Sequence, residues 1–393
     1  MRFLFIALLL LSISACSVFN STSKNELGIS TKQLKKTTIL VDVGRESGTM
    51  FDEGVFANSF ESVAKVLKEN KGVKIDLQIS KDSTLWLISE NEIRDCLHQN
   101  YKGLSEYDDE EINISSICWY EKQLIPLDTL VKLLDSASYK EKAISLNLID
   151  FNNNKPITLF GGEKGLARII AEKLEVLNRL EEIEFIAEVP SLEGILAFEK
   201  YSSITPYLRL TEQSKKHNYD RLSIPFVKQS RVKANKEFQI WGANIADQII
   251  ETLKLEPDYI QTTDFKLANF IKESSNLQST TIENDSLLIK NSDTLFTAIL
   301  TEEHIKSDFI LELTIQGEGE LLNTSYTIHG YNSDKHEILW QGTTLQSSKK
   351  KYRTFFNSSD LKERDCKEIR IVVQGKQTPS SLLTKIKLYQ VSQ

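Results

Sequence analysis

The sequence predicts an α/β chain with two folded parts, a (β/α)8 barrel followed by an all-β sandwich. Three observations carry this expectation. From Thr38 onward, short apolar runs rich in β-branched residues alternate with helical patterns, as parallel strands joined by crossover helices do. After Phe265 the helical period stops and turn-bounded, strand-like runs take over. At 393 residues and 40% hydrophobic content, the chain is long enough to bury one large core and a smaller one.

The elements justify themselves in order. Met1-Arg2, an apolar run from Phe3 to Leu11 and the small residues Ser12, Ser14 and Ala15 lead to Cys16. This reads as a signal peptide over 1–15, too short to span a bilayer as a mature helix. Ile13-Ser14-Ala15-Cys16 resembles the bacterial lipobox, which implies that Cys16 is lipidated and becomes the mature amino terminus. Several acyl chains on one residue hold a protein firmly, since each buried methylene contributes about 0.8 kcal/mol. A plain signal peptide with a chance cysteine is the alternative. The polar run from Asn20 to Lys36 places a tether over 16–37.

Nine strand candidates follow: Ile39–Val43, Val73–Ile79, Leu85–Ile88, Ile144–Ile149, Ile183–Ala187, Leu208–Leu210, Leu222–Phe226, Phe238–Trp241 and Tyr259–Thr262. A barrel of eight leaves one outside the closed ring or extending a hairpin. Apolar stripes at Phe60/Val63/Ala64/Leu67, Leu127/Leu130/Val131/Leu134 and Leu166/Ile169/Ile170/Leu174/Leu177 predict core-facing helices. The barrel is bounded at 38–268, a serine-rich linker at 269–292 and the sandwich, of the jelly-roll kind, at 293–393. The sandwich strands are expected over Phe309–Ile315, Ser325–Tyr331, Ile338–Gln341, Ile369–Val373 and Thr384–Val391.

Composition excludes some functions. Fifty-five acidic against 48 basic side chains, with no basic stripe interleaved with aromatics, argue against nucleic acid as a partner. Cys96 and Cys118 flank one loop region and are able to pair in an oxidising compartment, whereas Cys366 reads as a lone buried thiol. No cysteine or histidine spacing suggests zinc. Gly161-Gly162-Glu163-Lys164-Gly165 lacks the serine or threonine of a phosphate loop and reads as a turn. The acidic run Asp108 to Glu111 reads as solvated surface.

A series of segments then resembles the glycerophosphodiester phosphodiesterases, in order and spacing, over roughly residues 38 to 265. Phe56-Ala57-Asn58-Ser59-Phe60-Glu61-Ser62 is similar to that family's Pro-Glu-Asn-Thr segment. Lys74-Ile75-Asp76-Leu77-Gln78-Ile79-Ser80-Lys81-Asp82 is similar to its Glu-Leu-Asp-Val-Gln-Leu-Thr-Lys-Asp strand, and Ile125-Pro126-Leu127-Asp128-Thr129-Leu130 to its Ile-Pro-Thr-Leu-Glu-Glu segment. Ile144-Ser145-Leu146-Asn147-Leu148, Ile240-Trp241-Gly242-Ala243-Asn244 and Asp258-Tyr259-Ile260-Gln261-Thr262-Thr263-Asp264 follow its later strands. The resemblance implies a TIM-type barrel and, for the family, hydrolysis of a phosphodiester with calcium or magnesium held by inward carboxylates and two histidines as general acid and base.

At those catalytic positions the chain departs from the family. The first histidine falls near Gly44 and the second at Ser89; the metal-binding carboxylates become Ala57, Lys74 and Asn147. Arg45 and Asp76 are what the resemblance leaves as catalytic remnants, with Asp76 the metal ligand if a metal binds. Asp42, Glu46 and Glu90 lie near the strand ends, and Asp42 is read as pointing outward or capping a turn. Lys74 and Asp76 are two apart on one strand and so share the interior face. Lys74 either joins Arg45 in a cationic floor for phosphate or sulfate, with Trp241 as a further substrate contact, or pairs with Asp76. The expected function is a lipoprotein on the exported side of a bacterial cell envelope whose degenerate barrel, without a cofactor, serves as a binding or interaction module for an anionic head-group or a glycan. A divergent active phosphodiesterase is the alternative.

Overall fold

The computed structural model describes residues 27–30, 34, 36–44, 57–89, 103–115, 124–133, 142–152, 154–181, 183–201, 204–210, 219–231, 236–273, 277–282, 294–300, 309–317, 324–335, 337–345, 351–357, 366–374 and 382–391. Cys16, Arg45, Glu46, Glu90, Cys96 and Cys118 lie outside the described residues. The chain divides into two compact units, Thr37–Phe270 and a second made of 1–36 with 271–393.

The first unit is a closed parallel barrel. Its strands are β1 (Thr38–Asp42), β2 (Gly72–Ile79), β5 (Ala143–Leu148), β6 (Glu184–Val189), β7 (Ile204–Arg209), β8 (Arg221–Pro225), β9 (Glu237–Trp241) and β10 (Tyr259–Thr262). Neighbours pair in that order, and β1 closes the ring by pairing with both β2 and β10. The ninth candidate, at Leu85, is β3 (Leu85–Leu87), which runs antiparallel to β2 and pairs outward with β4 (Ile125–Pro126). It belongs to a hairpin because only four residues, 81–84, separate it from the preceding strand run and Ser80, too few for a crossover.

Helices cover the outside. The helix α1 (Phe60–Glu69) starts at Ser59, whose hydroxyl accepts from Ser62 N at 3.1 Å while the Ser62 hydroxyl accepts from Ser59 N at 3.1 Å. That reciprocal cap satisfies two amides with no intrahelical partner. Val63, Val66 and Leu67, spaced at i, i+3 and i+4, are fully buried; each such side chain contributes about 1.5–3 kcal/mol. Gly161 and Gly162 adopt φ of +79° and +86° at the turn into the helix Gly162–Glu181, as the turn reading requires. In the acidic run Glu110 and Glu111 are exposed, as expected, while Asp109 is partly buried. Asp109 opens the helix Asp109–Ser115 and accepts from the Thr84 hydroxyl at 2.5 Å and the Trp86 indole at 3.1 Å.

Strand alternation sorts the barrel interior into layers. On β2, Val73, Ile75, Leu77 and Ile79 alternate with Lys74, Asp76 and Gln78, and all are buried, as in a strand covered on both faces. Leu40, Ala143, Ile186 and Tyr207 pack with Tyr259 as an apolar plug. One step toward the carboxyl ends, Ser145, Glu188, Ser223 and Gln261 form a buried polar layer. Apolar below and polar above, the interior concentrates its chemistry at the carboxyl end.

The second unit holds two four-stranded antiparallel sheets. Its strands are β11 (Leu277–Ile282), β12 (Thr294–Leu300), β13 (Phe309–Gly317), β14 (Thr324–Tyr331), β15 (Glu337–Leu345), β16 (Lys351–Asn357), β17 (Glu368–Gln374) and β18 (Leu382–Val391). The sheets run β11-β18-β13-β16 and β12-β17-β14-β15, the strand order of a jelly roll. Among the described residues of this unit, three strands escaped the sequence reading: β11, β12 and β16. Serine- and lysine-rich surroundings masked their β-branched and aromatic content, so the stretch read as a linker over 269–292 holds the end of the helix Phe265–Glu273 and the paired strand β11. In the segment read as a tether, Leu27, Ile29, Ser30 and Leu34 are buried.

One carboxylate latches the carboxyl ends of β2 and β5. Asp150, buried just past β5, accepts from Ile79 N at 2.6 Å. Burial pushes its carboxyl up to about 7, against the backbone hydrogen bonds of Ile79 and Asp150 that favour ionisation. A folded pKa raised above 3.8 contributes stability that is full below pH 3.8 and is lost as pH rises through about 7. Asp150→Asn should therefore abolish the decline in urea stability across that window and make the variant the more stable protein at alkaline pH, by roughly a few kcal/mol. A variant that follows the wild-type profile would show that Asp150 does not carry it.

Candidate functional site

The site is built from the last turns of the strands at the barrel's carboxyl end. β1 ends at Asp42, in register with Lys74, and β2 brings Asp76 to the same face two residues on. The Lys74 ammonium donates to Asp42 Oδ1 at 3.1 Å and to Asp76 Oδ1 at 2.8 Å. Asp42 also accepts from Gly44 N at 3.0 Å. It thus caps the turn, as one reading of the sequence held, but does not point outward: register with Lys74 turns it into the barrel.

From Asp76 the network crosses the mouth. Asn147 on β5 donates to Asp76 Oδ1 at 2.7 Å, and Arg209 on β7 donates to Asn147 Oδ1 at 2.6 Å. Arg209 also stands 4.0 Å from Glu188 and 5.6 Å from the centre of the Trp241 ring. Glu188 on β6 accepts from Ser223 at 2.8 Å, Gln261 at 2.5 Å and Ser145 at 3.3 Å. Asn58, held at φ 48° before α1, accepts from Asp76 N at 3.0 Å and fastens the loop after β1 to β2.

The electrostatics follow from burial and charge. Lys74 and Asp76 are 7% and 5% exposed. Burial pulls the ammonium's pKa down, but Asp42, Asp76 and Glu188 outweigh it, so Lys74 stands above its ordinary value and stays charged. Asp76 is raised above the usual carboxylate range by burial, with Asp42 adding to the rise and Lys74 opposing it. Among the described residues of the network, three carboxylates face two cations. Lys74 is paired within the protein, its charge met by Asp42 and Asp76.

These residues do not fit a divalent cation. Calcium or magnesium needs several oxygen ligands turned toward one point. Here Asp42 Oδ1 and Asp76 Oδ1 both face the Lys74 ammonium, and Asn147 turns its amide nitrogen toward Asp76. Among the described residues no three histidine, cysteine, aspartate or glutamate side chains form a group able to hold a metal. A Cβ at Gly44 would press into the Asp76 carboxylate, with Cγ at 2.8 Å, so a histidine there is sterically opposed by the present position of Asp76. At Ser89 a hydroxyl stands where the resemblance places the second histidine.

No protein-family model and no curated protein matches the chain. Similar solved structures include glycerophosphodiester phosphodiesterases. One from Thermotoga maritima is 13% identical, with a TM-score of 0.42 over 60% of this chain and 98% of that one. One from Parabacteroides distasonis ATCC 8503 is 15% identical, with a TM-score of 0.47 over 61% and 98%. A third, from Agrobacterium tumefaciens str. C58, is 14% identical, with a TM-score of 0.40 over 59% and 98%. The TIM-type barrel itself rests on the strand pairing described above.

Of the residues picked from sequence, the fold brings Asp42, Lys74, Asp76 and Asn147 into one network and places Trp241 at its far side against Arg209. Arg45, Glu46 and Glu90 lie outside the described residues. Glu188 and Arg209 were missed. Strand parity was the available signal: Glu184, Ile186 and Glu188 alternate through β6, and Arg209 closes the Thr205, Tyr207, Arg209 face of β7.

Gly44→Ala tests how tightly this network is held. Because Asp76 is fixed by Lys74 and Asn147, the added methyl should cost about 1–3 kcal/mol, the usual range for overpacking. A chemical-denaturation midpoint equal to that of the wild type would show that Asp76 yields freely.

Proposed function

We propose that this protein is a lipid-anchored lipoprotein of a bacterial cell envelope whose phosphodiesterase-like barrel is catalytically degenerate and serves as a binding or interaction module. The observation that carries the reading is the Lys74 ammonium seated on Asp42 and Asp76, where the family resemblance puts a metal and its carboxylates. A cation fixed there neutralises the carboxylates without polarising a phosphoryl oxygen or activating water. The missing histidines remove proton transfer as well, typically about 10²–10⁴-fold for each participating group.

Recognition then falls to the rest of the mouth. Trp241 offers an aromatic face, partly exposed, with the Arg209 guanidinium 5.6 Å from the ring centre. Such a pair suits a glycan ring or an anionic head-group oxygen, the two ligand chemistries this reading admits. Anchoring through acyl chains on Cys16 accords with the apolar leader; among the described residues no helix is long and apolar enough to cross a membrane.

Two outcomes are expected. The purified mature protein should show no calcium- or magnesium-stimulated hydrolysis of glycerophosphocholine or a chromogenic phosphodiester, measured beside Asp76→Ala. Metal-dependent turnover that vanishes in Asp76→Ala would overturn the degenerate reading. Separately, Cys16→Ser should move the protein from membranes to the soluble exported fraction or leave it unprocessed, and continued retention on washed membranes would oppose the lipid anchor.

A further inference from the structure

Midway along β9 the barrel buries a polar side chain that the protein itself does not satisfy. Phe238 and Ile240 pack with Ile224 in an apolar cluster joined by Leu255, at the end of the helix Ala246–Lys254. Strand alternation therefore turns Gln239, between them, to the barrel interior. There it is 0% exposed, flanked in register by Ser223 on β8 and Tyr259 on β10. Tyr259 belongs to the apolar plug and Ser223 to the polar layer, so Gln239 stands where the two meet. Among the described residues, neither its amide oxygen nor its amide nitrogen has a hydrogen-bond partner. Two residues on, along the same face, the indole nitrogen of Trp241 is buried and likewise without a hydrogen-bond partner.

An amide taken out of water with both ends unpaired opposes folding, and buried polar groups of native proteins are therefore paired with protein or with ordered water. The neighbouring side chains are already engaged, since Ser145, Ser223 and Gln261 all donate to Glu188. We infer that Gln239 is the floor of an internal hydration site: its amide holds an ordered water inside the barrel, beneath Trp241.

Size and charge select this occupant. The closed surroundings of Gln239 exclude a sugar or a phosphate, which need an open cavity. A neutral amide offers an ion no countercharge, whereas water both donates and accepts and so suits either end of the amide. Partners for its remaining hydrogen bonds are at hand. Trp241 lies about 7 Å further along the strand, a gap that one water closes with two hydrogen bonds of about 2.9 Å. The Ser223 hydroxyl, which donates to Glu188 at 2.8 Å, keeps its oxygen free to accept as well. A buried water with about three such partners is a fixed part of a fold. The site involves neither Lys74 nor its carboxylates and stands whether or not the barrel is catalytic.

The test is a crystal structure of the mature protein, grown without polyols, at a resolution that shows ordered water, together with thermal unfolding of Gln239→Met. The structure should show a water within hydrogen-bond distance of the Gln239 amide. Methionine keeps most of the volume and removes the amide. If the water is held there, Gln239→Met deprives it of its main partner and should unfold a few degrees below the wild type. If the amide is dry and unpaired, the same substitution removes a buried polar group and the unfolding temperature rises. An unfolding temperature equal to or above that of the wild type, or a Gln239 amide that touches no water in the crystal, would overturn the inference. Should the variant fail to fold, the wild-type structure decides by itself. Metal-stimulated hydrolysis, which defeats the functional proposal, leaves this inference untouched.

Discussion

The ion pair of Lys74 with Asp42 and Asp76 is the constraint on which the carboxyl end of the barrel depends. It joins β1 to β2, and through Asp76 and Asn147 it reaches β5 and then Arg209 on β7. Taking three charges out of water is costly, and their attraction offsets that cost only where geometry is good and the remaining hydrogen-bonding capacity is used. Here Gly44 N donates to the Asp42 carboxylate and Asn147 to that of Asp76. Breaking one member would leave its partners charged and unpaired in a site where a lone buried charge typically costs about 3–5 kcal/mol.

That arrangement ties several residues of the barrel mouth to one another. Lys74 supplies the cation of this network, so a glutamate at position 147 beside Asp76 would only add repulsion. Asn147 resolves this by donating to Asp76 and accepting from Arg209. Gly44 fits the same logic, because a side chain at that position would collide with the carboxylate that Lys74 holds. Gly44, Lys74 and Asn147 thus all bear on the position and charge of Asp76.

The jelly-roll unit rests on a different balance. Leu311, Leu313 and Ile315 on β13 and Ile369, Ile371 and Val373 on β17 supply alternating apolar faces. Within it Glu312 is also buried, and it is satisfied by the Tyr389 hydroxyl and by Thr314 at 3.1 Å. A buried carboxylate with those partners is a structural group, which is why its presence does not by itself mark a site.

What the sequence by itself determined is whatever short-range periodicity encodes. The barrel strands, the helix stripes and the change of character after Phe265 follow from burial of one face at a period of 2 or 3.6, and that information is local. The shared face of Lys74 and Asp76 was legible for the same reason. The closed ring, the antiparallel placement of β3, and the pairing of β11 with β18 across more than a hundred residues of chain required the tertiary structure, because long-range pairing leaves little trace in composition. Only the fold shows Lys74 paired with Asp42 as well as with Asp76. Asp42 lies 32 residues away in sequence and Arg209 lies 62 from Asn147; strand register brings those charges together, and distance between charges sets whether a lysine is offered to a ligand or held by the protein.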